Sequence, residues 1–289
     1  ALVVPLGEEM PPCLIRKSDG ATLYATRDLA AARYRYEQLR FDRFLYVVGV
    51  SQTMHFRQVF AVLGKMGYPW AERLVHVPFG HIHGMSTRKG TVVFLDDILK
   101  RGKELAAEIL AERPGLTDDE REELAEQVTI GAIVFYDLLR NRIKDYDFDW
   151  DQMLRGLRPD EPGRTGPYLM YTHVRLGAVV DKYRQARGPL PTVDGFDAAR
   201  LDDADAARVI VEIERFPAVL LQAAEAYEPS VVSRYLLELA SAFNAFYAKQ
   251  QIVSDDPDLS AARIALVAAV RNTLGRGMQM LGVPRPKRM

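Results

Sequence analysis

The sequence is poor in the features that usually give a quick reading. Of its 289 residues only one is cysteine, Cys13. A lone thiol excludes an internal disulfide and any cysteine-rich zinc site, and it fits a reducing, cytoplasmic setting. No apolar run approaches the roughly 18 residues of a membrane-spanning helix; the longest, around 133–135 and 264–270, are short and bounded by polar residues. Neither a basic start nor a small-residue cleavage site marks a secretory leader. An excess charge of one sign is missing as well. The 38 Lys+Arg residues against 39 Asp+Glu leave a formal charge of −1, unlike the basic balance of a general nucleic-acid binder. Internal repeats and low-complexity tracts are absent.

What is present is globular in kind. Apolar residues at 48% and charged residues at 27% match ordinary folded domains, and the length predicts about two of them. The chain starts at Ala1 rather than Met, already inside a strand-like run, so it is expected to be part of a longer protein. Apolar runs at 2–6, 13–15, 43–50, 74–79 and 91–95 read as strands. Helical spacing of Ala, Leu, Arg and Gln at 27–39 and 53–65 reads as helices between them. That alternation predicts β/α units with a parallel sheet. Thr117-Asp-Asp-Glu120 is a capping box that starts a further helix with apolar positions at Leu124, Val128, Ile130, Ile133, Val134 and Leu138. A turn-rich break follows at 158–167, where Pro167 is placed to open a helix. Beyond it the pattern predicts helices at 168–186, 202–227, 229–248 and 259–281, an all-α bundle with its boundary near 160.

Charge is distributed unevenly. From Asp194 to Glu228 there are nine acids against Arg200, Arg208 and Arg215. From Leu259 onward there is no acid, against Arg263, Arg271, Arg276, Arg285, Lys287 and Arg288. A basic ending suits a phosphate-bearing partner; it suits equally a solvated face neutralised by the acidic helix.

Three segments have the composition of binding sites. Gly80-His-Ile-His-Gly-Met-Ser-Thr-Arg-Lys-Gly-Thr91 combines glycines, hydroxyls and the cations Arg88 and Lys89, which suits a polyphosphate loop as well as an exposed hairpin. It is not a P-loop, because the order of that motif is missing, and without nearby acidic or cysteine partners His81 and His83 do not make a metal site. In Lys17-Ser-Asp-Gly-Ala-Thr-Leu-Tyr-Ala-Thr-Arg-Asp28, Ser18-Asp-Gly20 reads as a turn and Thr26 as the cap of a helix. Tyr24 and Asp28 are four apart, so a ring and a carboxylate share one face, a pairing that planar guanidinium prefers. The competing role for Asp28 is to complement the helix dipole. In Val47-Val-Gly-Val-Ser-Gln-Thr-Met-His55 a strand end runs into a helix, so Gln52 and His55 occupy the place where open α/β sheets bind ligands.

In this order the segments resemble arginyl-tRNA synthetases, class I enzymes. The resemblance extends through Met85-Ser-Thr-Arg-Lys-Gly-Thr-Val-Val93, a variant of the Lys-Met-Ser-Lys-Ser loop, and through Phe148-Asp-Trp150. It continues in Gly166-Pro-Tyr-Leu-Met-Tyr-Thr-His-Val-Arg175 and in the ending Leu281-Gly-Val-Pro-Arg-Pro-Lys-Arg-Met289. It implies the C-terminal part of a Rossmann-type α/β catalytic domain (1–160, including connecting helices) followed by an all-α helical-bundle anticodon-binding domain (161–289). It further implies that Tyr24, Asp28 and Gln52 hold arginine, that His55 and Met85 lie at ATP, and that Ser86, Arg88 and Lys89 act on its phosphates. Tyr247 of Phe243-Asn-Ala-Phe-Tyr247 and Met289 would contact tRNA, though Tyr247 also reads as helix core. The implied reaction activates L-arginine with ATP as an adenylate, releases pyrophosphate, and transfers arginine to its tRNA. Magnesium would accompany ATP without a protein metal cage. A monomer with no membrane association is expected.

Two departures from the family pattern are visible. The His-Ile-Gly-His motif is absent, since His81-Ile-His-Gly84 has another order and lies in another loop; the resemblance places that motif upstream of Ala1, so this chain alone is expected to be inactive. Both lysines of the Lys-Met-Ser-Lys-Ser loop are replaced. Two other readings compete. A non-catalytic tRNA-binding module would have no use for Tyr24, Asp28 and Gln52 together. A cysteinyl-type synthetase would need a zinc-binding cysteine set that Cys13 alone cannot supply.

Overall fold

The computed structural model describes residues 1–83, 94–111, 113–157 and 163–289. They form two compact units, Ala1–Ile82 with Ile143–Tyr146, and His83–Arg142 with Asp147–Met289.

The first unit starts with an antiparallel pair, β1 (Leu2–Val4) and β2 (Cys13–Arg16), a pairing the alternation did not predict. The turn after β2 is as expected. Lys17 and Gly20 close it through backbone hydrogen bonds, and Ala21 donates to the Asp19 carboxylate. Its reversal requires the positive φ of 86° at Gly20, which a side chain would disfavour. Helix α1 (Tyr24–Leu39) leads to β3 (Phe44–Gly49), a single 3-10 turn (Val50–Gln52) and α2 (Thr53–Lys65), and then to β4 (Leu74–Phe79). β3 and β4 pair in parallel, from Phe44 with Leu74 to Gly49 with Phe79. The predicted β/α unit is therefore present, with α2 as its crossover helix. Its core holds Leu29, Ala32, Val59, Val62, Leu63 and Leu74, beside an aromatic cluster in which Tyr36 stacks on Trp70 at 4.8 Å.

The candidate strand at 91–95 falls mostly outside the described residues. Its last residue, Leu95, opens helix α3 (Leu95–Ala111), whose first turn carries Asp96 and Asp97, and acids there favour the helix over a strand. The chain crosses between the units three times: within the short strand β5 (Ile82–His83), between Arg142 and Ile143, and within the short strand β6 (Tyr146–Asp147).

The second unit is helical. α3 packs on α4 (Asp118–Leu138), which has the expected capping box: Thr117 accepts from the Glu120 amide at 3.2 Å and Glu120 accepts from the Thr117 amide at 2.9 Å. Its buried stripe is Leu124, Ala125, Val128, Ala132 and Phe135, while Ile133 and Val134 are only half-buried. A short helix, α5 (Trp150–Leu154), precedes four long ones: α6 (Gly166–Arg187), α7 (Ala204–Ala226), α8 (Ser230–Lys249) and α9 (Pro257–Met280). These are the four helices read from the sequence, and Pro167 sits in the first turn of α6 as expected. Phe135, Leu169, Met170, Leu236, Phe243, Phe246, Leu274 and Met278 are fully buried. No helix of the described residues is long and apolar enough to cross a membrane.

Candidate functional site

The carboxyl end of β3 and the start of α1 bring together two residues that lie 27 positions apart. His55 Nε2 lies 2.6 Å from Asp28 Oδ2, and the two side chains are 25% and 34% exposed, partly shielded yet open to a ligand. Both helix starts are held by local contacts. Thr53 Oγ1 donates to the Val50 carbonyl at 2.7 Å, which fixes the turn that presents Gln52 and His55. Thr26 does not cap α1 as the sequence suggests: the helix starts three residues earlier, with Leu23 as its N-cap. Thr26 Oγ1 instead accepts from the Leu23 amide at 3.2 Å and donates to the Ile15 carbonyl of β2. The earlier start moves Asp28 out of the first turn, so it does not serve as the charge that complements the helix dipole.

Tyr24 is the first residue of α1 and is 79% exposed, with the Arg27 guanidinium 5.9 Å from its ring centre. Gln52 is exposed at the end of the turn after β3. Tyr24, Asp28, Gln52 and His55 thus belong to one unit and to two adjoining segments, and the Asp28–His55 contact joins those segments. Sequence spacing reveals partners within a helix, not pairs made across a strand crossover. Around it, His76 Nε2 of β4 lies 3.1 Å from the Val48 carbonyl and its ring lies 5.0 Å from Phe56. Met85, Ser86, Arg88 and Lys89 lie outside the described residues. An acidic neighbour of His81, which the sequence did not reveal, is Asp145: it accepts from the His81 amide at 2.7 Å. No group of three or more potential metal ligands occurs among the described residues.

In the helical unit, Tyr247 is 37% exposed and stacks on Phe243 at 5.7 Å. The Arg175 guanidinium lies 5.9 Å from the Tyr247 ring and 4.8 Å from Tyr171. Arg175 is fixed by hydrogen bonds to Asn244 Oδ1 and the Tyr171 hydroxyl, both at 3.2 Å, and Asn244 in turn donates to the Tyr168 hydroxyl at 2.8 Å. These neighbours are drawn from α6 and α8, 69 or more positions apart, so only the fold assembles them. Met289 is half-buried. It follows Arg288, whose guanidinium reaches Glu120 Oε1 at 3.3 Å and the Gly115 carbonyl at 3.0 Å. Arg288 is therefore neutralised from α4, not from the acidic helix α7.

Residues 1–150 match the family described as tRNA synthetases class I (R), catalytic domain, and residues 169–289 match the DALR anticodon binding domain. The arginine–tRNA ligase of Halothermothrix orenii is 43% identical over 295 residues, covering 100% of this chain and 50% of its own length. That of Clostridioides difficile is 44% identical, with the same shares covered. The chain spans about half the length of the curated relatives it matches. Among solved structures, Thermus thermophilus arginyl-tRNA synthetase superposes with a TM-score of 0.82 at 25% identity, covering 98% of this chain and 52% of that one. The Plasmodium falciparum enzyme shares the fold, with a TM-score of 0.81 at 24% identity, 96% of this chain and 47% of its own. With the catalytic family matched over more than half its residues and the anticodon-binding family over the helices that follow, the chain belongs to the class I arginyl-tRNA synthetases.

Proposed function

We propose that this chain is the C-terminal half of a cytoplasmic arginine–tRNA ligase, which activates L-arginine with ATP as arginyl-adenylate and transfers it to tRNA. The observation that carries this reading is the Asp28–His55 contact at the carboxyl end of β3, with Tyr24 and Gln52 exposed on the same two segments. His55 holds one carboxylate oxygen of Asp28, and the other accepts no hydrogen bond among the described residues. A guanidinium approaching Asp28 meets a fixed carboxylate, with the Tyr24 ring four residues away on the same helix face to stack on. Lysine, a point charge, gains neither paired hydrogen bonds nor planar stacking, which favours arginine. Gln52 completes the amino-acid pocket, and His55 lies toward the adenylate. In this reading Met85, Ser86, Arg88 and Lys89 close on the ATP phosphates, with magnesium as the counter-ion of ATP. Such chemistry depends on positioning and charge stabilisation more than on a protein nucleophile.

Residues 1–160 serve catalysis and residues 161–289 serve tRNA recognition in this reading. Tyr247 stacks on an unpaired anticodon base beside Arg175, and Met289 adds a contact from the tail. The sequence contains no His-Ile-Gly-His motif, so the adenylation site needs residues beyond this chain. The reading frame upstream of Ala1 tests the proposal directly. An in-frame His-Ile-Gly-His-type motif there supports it, and a start codon immediately before Ala1 contradicts it.

A further inference from the structure

A second basic site lies away from Tyr247, on the helical unit. A cleft of about 770 Å³ opens between α6, α9 and the tail, lined by His173, Arg271, Gly275, Arg276, Gln279 and Arg285. Its shape depends on one glycine. A Cβ on Gly275 would come within 3.1 Å of His173 Nε2 and 3.5 Å of Arg285 Nη1. Bare backbone there lets Arg285 and the imidazole draw together, and the Arg271 guanidinium lies over Gly177 of α6. No carboxylate among the described residues pairs with Arg271, Arg276 or Arg285. His173 Nδ1 is buried with no hydrogen-bond partner. Three cations gathered around one imidazole in a single concavity, in a stretch of chain with no acid after Asp258, call for an anion that accepts several hydrogen bonds.

We propose that this cleft binds a phosphodiester group of the tRNA backbone, with Arg271, Arg276 and Arg285 supplying the charge and His173 a neutral wall. The proposal rests on the reading of the helical unit as the tRNA-binding part and gives it a contact separate from the Tyr247 stacking site. Guanidinium forks match phosphate oxygens in paired geometry, and such contacts position a nucleic acid without reading its bases. The state of the imidazole is consistent with this: burial first, then the charges of Arg271 and Arg285, push its pKa down to about 4. A bound phosphate would offset both cations and raise it again, which makes His173 a reporter for the site.

The test uses the 289-residue chain with two probes, tRNA and inorganic phosphate. Arg276 and Arg285 are both exposed, so Arg276→Gln combined with Arg285→Gln leaves the packing intact; Arg234→Gln, at an exposed position of α8, is the control. The double variant is expected to bind tRNA about ten-fold more weakly at low salt. It should also flatten the dependence of log Kd on log salt by about one to two, while the control changes neither. Added tRNA should raise the His173 pKa, followed by NMR of the imidazole. Binding within two-fold of the unsubstituted chain, with an unchanged salt dependence, overturns the inference. So does a rise of the His173 pKa with inorganic phosphate while tRNA binding ignores the substitutions, since that marks a small-anion site. Failure of the unsubstituted chain to bind tRNA contradicts this inference together with the reading of the helical unit. Binding that persists in the double variant contradicts the inference alone.

Discussion

At the scale of single residues, the two halves of the chain use histidine differently. His55 is partly exposed and bonded to Asp28, so its proposed work is to hold a carboxylate in one orientation. His55→Ala is expected to raise the KM for arginine by about ten-fold, the loss of one charge-assisted hydrogen bond, with a smaller change in kcat. Steady-state kinetics at varied arginine separates the two, and an unchanged KM removes His55 from the site. His173 is held neutral, its pKa pushed down to about 4 from the ordinary 6.5 by burial and by Arg271 and Arg285. Between those values the unfolded chain binds more protons than the folded one. Stability present above pH 6.5 is therefore lost as pH falls toward 4. Urea unfolding of the chain at pH 7, 5.5 and 4.5 should show this decline, and His173→Gln should make it shallower. An identical slope in the variant would assign the decline to other groups.

At the scale of elements, caps and close packing set the boundaries. Thr117→Ala removes one partner of the α4 capping box and is expected to lower stability by about 1 kcal/mol. Phe246→Ala opens a cavity in the fully buried core of the bundle and is expected to lower it by about 3–5 kcal/mol. Both are read from urea midpoints. The elements also show what local pattern can and cannot reveal. Helix α2 and strand β4 have the bounds that their apolar spacing predicts, since each buries one face against the other within one unit. The β1–β2 pair is not visible in local pattern, because pairing of two short, largely exposed runs is set by the chain reversal between them. Residue type marks Thr26 as a cap, but it stands at the third position of the helix. Its hydroxyl accepts from the Leu23 amide, the local bond of a capping box, and donates to the Ile15 carbonyl, a tertiary contact that no local rule includes. Leu95 ends an apolar run that reads as a strand, yet the acids after it start a helix.

At the scale of the molecule, a formal charge of −1 conceals a basic ending whose parts have separate fates. Arg288 is tied to Glu120 and the Gly115 carbonyl, whereas Arg271, Arg276 and Arg285 face a cleft. The family is legible because six short segments stand in register along the chain. The partners of Asp28 and Tyr247 were not, because His55, Arg175 and Asn244 come from other elements that only the folded chain brings near. The central claim is that Asp28 holds the guanidinium of the substrate. Arginine-dependent ATP–pyrophosphate exchange by the full-length ligase carrying Asp28→Ala tests it most directly. The account predicts a fall in kcat/KM for arginine of at least about a hundred-fold, the scale for losing a hydrogen-bonded charge partner, with tRNA affinity unchanged within a few-fold. Exchange at the unsubstituted rate would contradict it.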